Sequence, residues 1–182
     1  TLIEALYIHH KFKEKFKGSV KVKLVEKANR ADRQIYKIKR KAFKAFQGGK
    51  NEGKILAEMA FERVRCPLLN DRDLCDLYEY RPLTCRFYGI PTAIDGEGHT
   101  CGKSGFKEGE PYPTVNLDAI NCQLQQISAE LLRDIKSKNI KLADLLVPLS
   151  SSMVMDFNEV FLGVAEEPEK DAPPKRRSRK RR

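Results

Sequence analysis

Eleven prolines and glycines fall between Cys66 and Pro113, and this density excludes a long helix or strand from the middle of the chain. A compact segment with so little regular structure needs another source of cohesion, such as a bound metal ion or covalent cross-links. Cysteines, which can supply either, are concentrated in the same part of the sequence: Cys66, Cys75, Cys85, Cys101 and Cys122.

The number and setting of these cysteines favour metal ligation over disulfides. Five is an odd number, and no basic stretch followed by an apolar core and a cleavage site opens the chain. We therefore expect reduced thiols in a cytoplasmic protein. The spacings are not those of paired C-x2-C zinc knuckles, so the neighbours of each cysteine carry more information than the intervals between them.

Apolar residues recur at helical spacing on both sides of the irregular segment. One stripe steps by three or four residues from Val20 to Phe46 and predicts a helix of about 27 residues whose remaining surface is mostly Lys and Arg. Shorter helices are predicted over residues 1–17 and 54–63, from Leu117 to Ile135, and within 150–163. The sequence thus predicts a mainly α fold, a small helical domain with an irregular Cys-rich metal-binding segment.

The charge distribution divides the chain into three parts. Residues 1–65 form a basic helical region, and residues 66–163 form the Cys-rich segment and C-terminal helices of the same domain. Residues 164–182 have a composition that cannot bury apolar surface and are predicted to be a disordered basic tail. No apolar stretch is long enough to span a membrane. The tail and the basic helix together suggest an alternative function, an accessory protein that binds nucleic acid or another polyanion. The tail's candidate contacts are Lys175, Arg176, Arg177, Arg179, Lys180, Arg181 and Arg182.

A motif surrounds the first three cysteines. Cys66-Pro67-Leu68-Leu69 is followed by Cys75-Asp76-Leu77-Tyr78 and then by Arg81-Pro82-Leu83-Thr84-Cys85-Arg86. This run resembles the YkgJ-type cysteine-cluster family, also described as a zinc- or iron-chelating domain. The resemblance covers residues 66–91, although two residues separate Tyr78 from Arg81 where the family pattern has three. The family also opens with a group resembling Cys-x2-Cys-x2-Cys-Cys, and the resemblance implies that this group lies upstream of Thr1.

The resemblance implies a metal-binding protein holding zinc, iron or an iron–sulfur cluster. Cys66, Cys75 and Cys85 are the predicted core of the ligand set, and Cys101 and Cys122 are looser candidates for the family's downstream cysteines. Thiolate ligands select such soft or borderline metals. His99 is more simply a loop residue than a nitrogen ligand.

The residues around Cys85 favour thiolate chemistry independently of the resemblance. Pro82 suits the first position of a helix, which places Cys85 near the positive end of the helix dipole. Arg81 and Arg86 flank Cys85 and offset the negative charge of several thiolates, while Tyr78 covers the cysteine loop. The nearby carboxylates Asp71, Asp73 and Asp76 act in the opposite direction and offer oxygen ligands.

An enzyme is the weaker interpretation. The sequence contains no Gly-rich phosphate loop, no G-x-S-x-G elbow and no H-E-x-x-H motif. A nucleophile pair of Cys101 with His99 is the remaining catalytic alternative, but side chains two residues apart rarely converge. The sequence therefore favours a binding protein over a catalyst.

Overall fold

The computed structural model describes residues 1–101, 103–107 and 109–165. The predicted tail beyond residue 165, with all seven of its candidate polyanion contacts, lies outside the described residues. No helix within the described part of the chain has the length and apolarity needed to cross a membrane.

The prediction of a mainly α fold is confirmed. The described residues form six α-helices and two 3-10 turns, at Tyr78–Tyr80 and Ile140–Asp144. The helices are α1 Leu2–Lys15, α2 Gly18–Gln47, α3 Glu52–Phe61, α4 Leu83–Arg86, α5 Leu117–Asp134 and α6 Leu149–Val154.

A small three-stranded sheet, which the sequence analysis did not predict, lies in the irregular segment. Its strands are β1 Thr92–Ile94, β2 Glu97–His99 and β3 Val115–Asn116, in the order β2-β1-β3. β1 pairs antiparallel with β2 and parallel with β3. Asp95 and Gly96 both adopt positive φ in the turn between β1 and β2, as a two-residue hairpin of the Asp-Gly type requires.

Helix α1 contributes to both clusters of buried apolar residues. The first cluster contains Ile8 and Phe12 of α1 and Phe16 directly after it, together with residues of α2 and Met153 of α6. The second contains Leu2 of α1 and groups from α5 and from the 3-10 turn that follows it. The apolar side of α1 is therefore covered by α2 and α6 in the first cluster and by α5 and the following 3-10 turn in the second. The irregular segment packs against the first of these clusters.

The irregular segment is held to this core by two leucines. Leu68 is 2% exposed and Leu77 is 1% exposed, and both belong to the first cluster. Burying a leucine side chain contributes about 1.5–3 kcal/mol, so these two residues supply much of the cohesion that the sequence analysis assigned to a metal or cross-links. The scaffold that carries the cysteines therefore has a hydrophobic anchorage of its own.

Candidate functional site

Three of the five cysteines line one cleft. Cys66, Cys75 and Cys85 lie in the wall of a cavity of about 890 Å³, here called the thiol cleft. Their thiols are free, with Cys66 and Cys75 half-buried and Cys85 exposed. The rest of the wall is largely apolar, and its charged members are Arg63, Arg65 and Arg81.

A tight turn built on Asn70 brings Cys66 and Cys75 to the same wall. The Asn70 side-chain oxygen accepts hydrogen bonds from the backbone N–H groups of Arg72 and Leu74, at 3.0 and 3.1 Å. Its side-chain nitrogen donates to the Asp76 carboxylate at 2.9 Å. The backbone beyond the turn closes through an antiparallel bridge between Leu69 and Cys75. The sequence analysis missed Asn70, although Asn at the start of a polar Asp-containing stretch is a recognised turn signal.

The second turn carries Cys85 on α4. Helix α4 begins at Leu83, with Pro82 as its N-cap, so Cys85 lies within its single turn. The Arg86 side chain donates to the backbone oxygens of Arg81, at 3.0 Å, and of Glu79. Arg86 therefore fixes the backbone of this turn and is not part of the cleft wall, as the described residues define that wall.

Arg81 and Tyr78 form a stacked pair at the edge of the same turn. The Arg81 guanidinium lies 3.7 Å from the centroid of the Tyr78 ring, and its Nε donates to the Tyr78 carbonyl at 3.2 Å. Arg81 lines the thiol cleft. Tyr78 is exposed and supports Arg81 from outside, so its role is to orient a cation beside the thiols.

Glu4 of α1, which the sequence analysis also missed, tethers α4 to the helical core. Its carboxylate accepts a hydrogen bond from the Leu83 backbone N–H at 2.8 Å. This satisfies one of the amide groups that a helix N-terminus leaves unpaired. Because residues 4 and 83 are far apart in sequence, no local pattern identifies the pair.

Burial dominates the acidity of two of the cleft thiols. It raises the pKa of the Cys66 thiol, and the neighbouring Cys75 adds to the effect. Partial desolvation by the cleft walls also raises the pKa of the Cys85 thiol, although the residue as a whole is exposed; Cys66 and Cys75 reinforce the effect and the positive charge of Arg81 opposes it. This direction is opposite to the one expected from the position of Cys85 near a helix N-terminus, and α4 is a helix of only one turn.

These raised pKa values predict that the metal-free protein loses stability in alkaline solution. The folded state holds the thiol protons of Cys66 and Cys85 at pH values where the unfolded chain has released them, so the free energy of unfolding falls as pH rises above about 8.5. Urea unfolding of the reduced, metal-free protein between neutral and alkaline pH measures this slope. The slope is expected to flatten in a variant with both Cys66→Ser and Cys85→Ser, and to persist in Cys122→Ser. An equal slope in all three proteins would contradict the assignment.

The two remaining cysteines occupy different positions. Cys101 lines an adjoining cavity of about 340 Å³ together with His99, and Thr84 and Tyr88 form part of the walls of both cavities. Cys122 is exposed on α5, where the Gln126 side chain approaches its sulfur at 3.8 Å. Of the five predicted ligands, three therefore share a cleft, a fourth lies next to it, and Cys122 is separate from both cavities as the described residues define them.

The described residues do not form a ready-made metal site. No three His, Cys, Asp or Glu side chains in residues 1–101, 103–107 and 109–165 come close enough together to hold an ion. Two of the candidate oxygen ligands are already engaged, because Asp76 accepts from Asn70 and Asp73 pairs with Arg65 at 2.7 Å. Any metal ion held by the cysteines must therefore draw thiols together across the cleft.

Comparisons of this chain with protein-family models, with curated proteins and with solved structures find no match. The resemblance of residues 66–91 to the cysteine-cluster family accordingly stays a prediction from the motif.

Proposed function

We propose that this protein binds a soft or borderline metal, zinc or iron including iron–sulfur, through the thiolates of Cys66, Cys75 and Cys85. The observation that carries the proposal is that three free cysteines, from two separate turns, line one cleft. Cys66 and Cys75 also pack against the first apolar cluster, but Cys85 is exposed, so packing as a small apolar residue does not account for the third thiol in the same cavity.

The surroundings of the thiols suit a cation with thiolate ligands. Three thiolates around a divalent ion leave a net negative charge, which requires a nearby positive group in a partly desolvated site. Arg81 fills that role, because its positive charge acts on the Cys85 thiol, whereas Arg65 is paired with Asp73. The raised thiol pKa values mean that binding displaces protons, so affinity increases with pH.

Three thiolates leave one position of a tetrahedral zinc ion to another donor. Cys101 is the candidate for it, since its cavity adjoins the thiol cleft across Thr84 and Tyr88. The buried leucines Leu68 and Leu77 keep the scaffold in place while the exposed α4 approaches the half-buried thiols. In this proposal the metal ion binds to a scaffold that is already folded.

Thiol counting during zinc titration tests the proposal. The reduced, metal-free chain has five thiols that react with a chromogenic disulfide reagent in denaturant. We expect one equivalent of zinc to protect Cys66, Cys75 and Cys85 from alkylation in the folded protein, as read by mass spectrometry, while Cys122 stays reactive. Elemental analysis of anaerobically purified protein then identifies the native metal, and a brown colour indicates an iron–sulfur cluster. Protein that neither retains a metal nor shows protection by zinc would overturn the proposal.

A further inference from the structure

A second surface, which shares no residue with the thiol cleft, combines positive charge with exposed aromatic rings. Helix α2 contains ten Lys or Arg residues against two acidic ones. A groove of about 550 Å³ runs between α2 and the start of α6, and its wall includes Arg33, Tyr36, Lys37 and Arg40. None of these three cations makes an ion pair within the described part of the chain, so their charge is available to a ligand.

Two aromatic rings lie on the groove side of α2. Tyr36 is 65% exposed and Phe43 is 60% exposed. Seven residues are about two turns of helix, so the two rings lie on one side of α2, about 10 Å apart along its axis. Arg40 falls between them in the sequence. An exposed ring keeps apolar surface in contact with water, which is unfavourable in the free protein. Two such rings on one side of a helix, interleaved with cations, form a surface on which planar groups can stack.

The acidic residue of the groove, Asp32, offsets only one positive charge, and the wall still carries an excess from its four cations, Arg33, Lys37, Lys39 and Arg40. The Asp32 carboxylate accepts hydrogen bonds from the hydroxyl groups of Ser150 and Ser151, at 2.5 and 2.9 Å. Asp32 therefore also joins α2 to α6, and it lines the groove together with the cations and Tyr36.

We propose that this groove binds single-stranded nucleic acid, with phosphates on Arg33, Lys37 and Arg40 and bases stacked on Tyr36 and Phe43. Cations that follow a backbone and rings that stack on bases are the two elements of single-strand recognition. A duplex keeps its bases paired and stacked, so it offers nothing to the rings. The proposal is independent of the metal site, because none of its residues lines the thiol cleft.

The apolar stripe of α2 argues against a membrane surface as the ligand. A helix lying in the membrane interface must present a continuous apolar face to the lipid. Here the second half of that face, which includes Ile38, Ala42 and Ala45, is turned toward α3, whose Ile55 is buried. What remains exposed in this half of α2 is the separate rings of Tyr36, Phe43 and Phe46 among cations, which matches bases better than acyl chains.

Fluorescence anisotropy with a labelled oligouridine tests the proposal on the full chain. Removing a stacking ring is expected to weaken binding about 5- to 150-fold in Tyr36→Ala and in Phe43→Ala. Exchanging Arg33 and Arg40 together for Gln is expected to reduce the slope of log affinity against log salt by about 0.7 for every phosphate that is no longer neutralised. Phe61→Ala, which removes an exposed ring from α3, is the matched control and is expected to bind as the wild type. The Lys and Arg residues of the tail are present in every variant, so their contribution to affinity cancels when a variant is compared with the wild type.

Three results would overturn the proposal. One is unchanged oligouridine binding in both ring variants, which would mean that the surface binds phosphate groups without stacking bases. Another is equal affinity for a duplex of the same length. The third is binding to phosphatidylserine vesicles that Tyr36→Ala abolishes, in the absence of oligouridine binding, because this would identify a membrane as the ligand. Melting temperatures confirm that the exposed exchanges leave the fold intact, and binding by Cys75→Ser at wild-type affinity separates this site from the proposed metal site.

Discussion

Replacing Cys75 with serine is expected to weaken zinc binding about 100-fold or more. Structural zinc sites bind with about 10–16 kcal/mol shared among four ligands, so one thiolate contributes about 3 kcal/mol, and each 1.4 kcal/mol is a factor of ten. Cys75 is the informative choice because it is half-buried and its backbone is fixed by the bridge to Leu69. Serine is close in size to cysteine, so the change removes the ligand and preserves the turn. Competition with a chromogenic zinc chelator at neutral pH measures the affinity.

Cys122→Ser is the matched control for this experiment. Cys122 is exposed on α5 and lies apart from the thiol cleft, so its loss is expected to leave zinc affinity unchanged. Cys101→Ser shows whether the site has three cysteine ligands or four. If Cys101 completes the site, its exchange lowers zinc affinity about as much as Cys75→Ser does. Equal affinities in Cys75→Ser and Cys122→Ser would exclude the thiol cleft as the binding site.

The long helices are predictable because their apolar residues repeat with the period of the helix. The stripe from Val20 to Phe46 predicts α2 to within two residues at its start, and the stripe from Leu117 to Ile135 predicts α5. The pattern identifies the helix even where its apolar face is not covered, since Val20 and Phe46 at the two ends of the α2 stripe are more than half exposed. It therefore identifies helices well and says little about irregular segments.

The small sheet escapes prediction because its strands are two or three residues long, too short to show alternation. The Asp95-Gly96 pair is the one local signal, and by itself it marks only a break in regular structure. The anchoring leucines escape for a related reason. Leu68 and Leu77 lie in short apolar groups that show neither helical nor strand periodicity, and only the position of α1 and α2 decides that they are buried.

Three of the five candidate cysteines line one cleft, but the sequence does not predict the interactions that bring them there. The motif around Cys66, Cys75 and Cys85 indicates a shared location, but the interactions that create it include a long-range hydrogen bond between Glu4 and Leu83. The acidity of Cys85 shows the same limit. Helix position is readable from sequence, whereas the burial that raises its pKa depends on the folded cleft.

Replacing Phe12 with alanine is expected to cost about 3–5 kcal/mol of the free energy of unfolding, because it removes a large ring from a closely packed core. Phe12 is fully buried in the first cluster, where its ring lies 5.4 Å from that of Phe16 between centroids. For a domain of this size such a loss lowers the melting temperature by roughly 10 °C, which calorimetry or circular dichroism resolves. Phe61→Ala is the control, because Phe61 is 81% exposed and surface exchanges usually stay within about 0.5 kcal/mol.

The same exchange connects the core to the thiol cleft. Leu68 and Leu77 belong to the cluster that contains Phe12 and also line the cleft, so a void at Phe12 loosens the wall that carries Cys66. Since thiol reactivity depends on access to the thiolate, maleimide is expected to label Cys66 faster in Phe12→Ala than in the wild type, at a temperature where both proteins are folded. Labelling of Cys122 in the same samples is the internal reference, because α5 takes no part in that cluster. A large loss of stability with unchanged labelling of Cys66 would show that the cleft is held by its own turns, through Asn70 and Arg86, and not by the helical core.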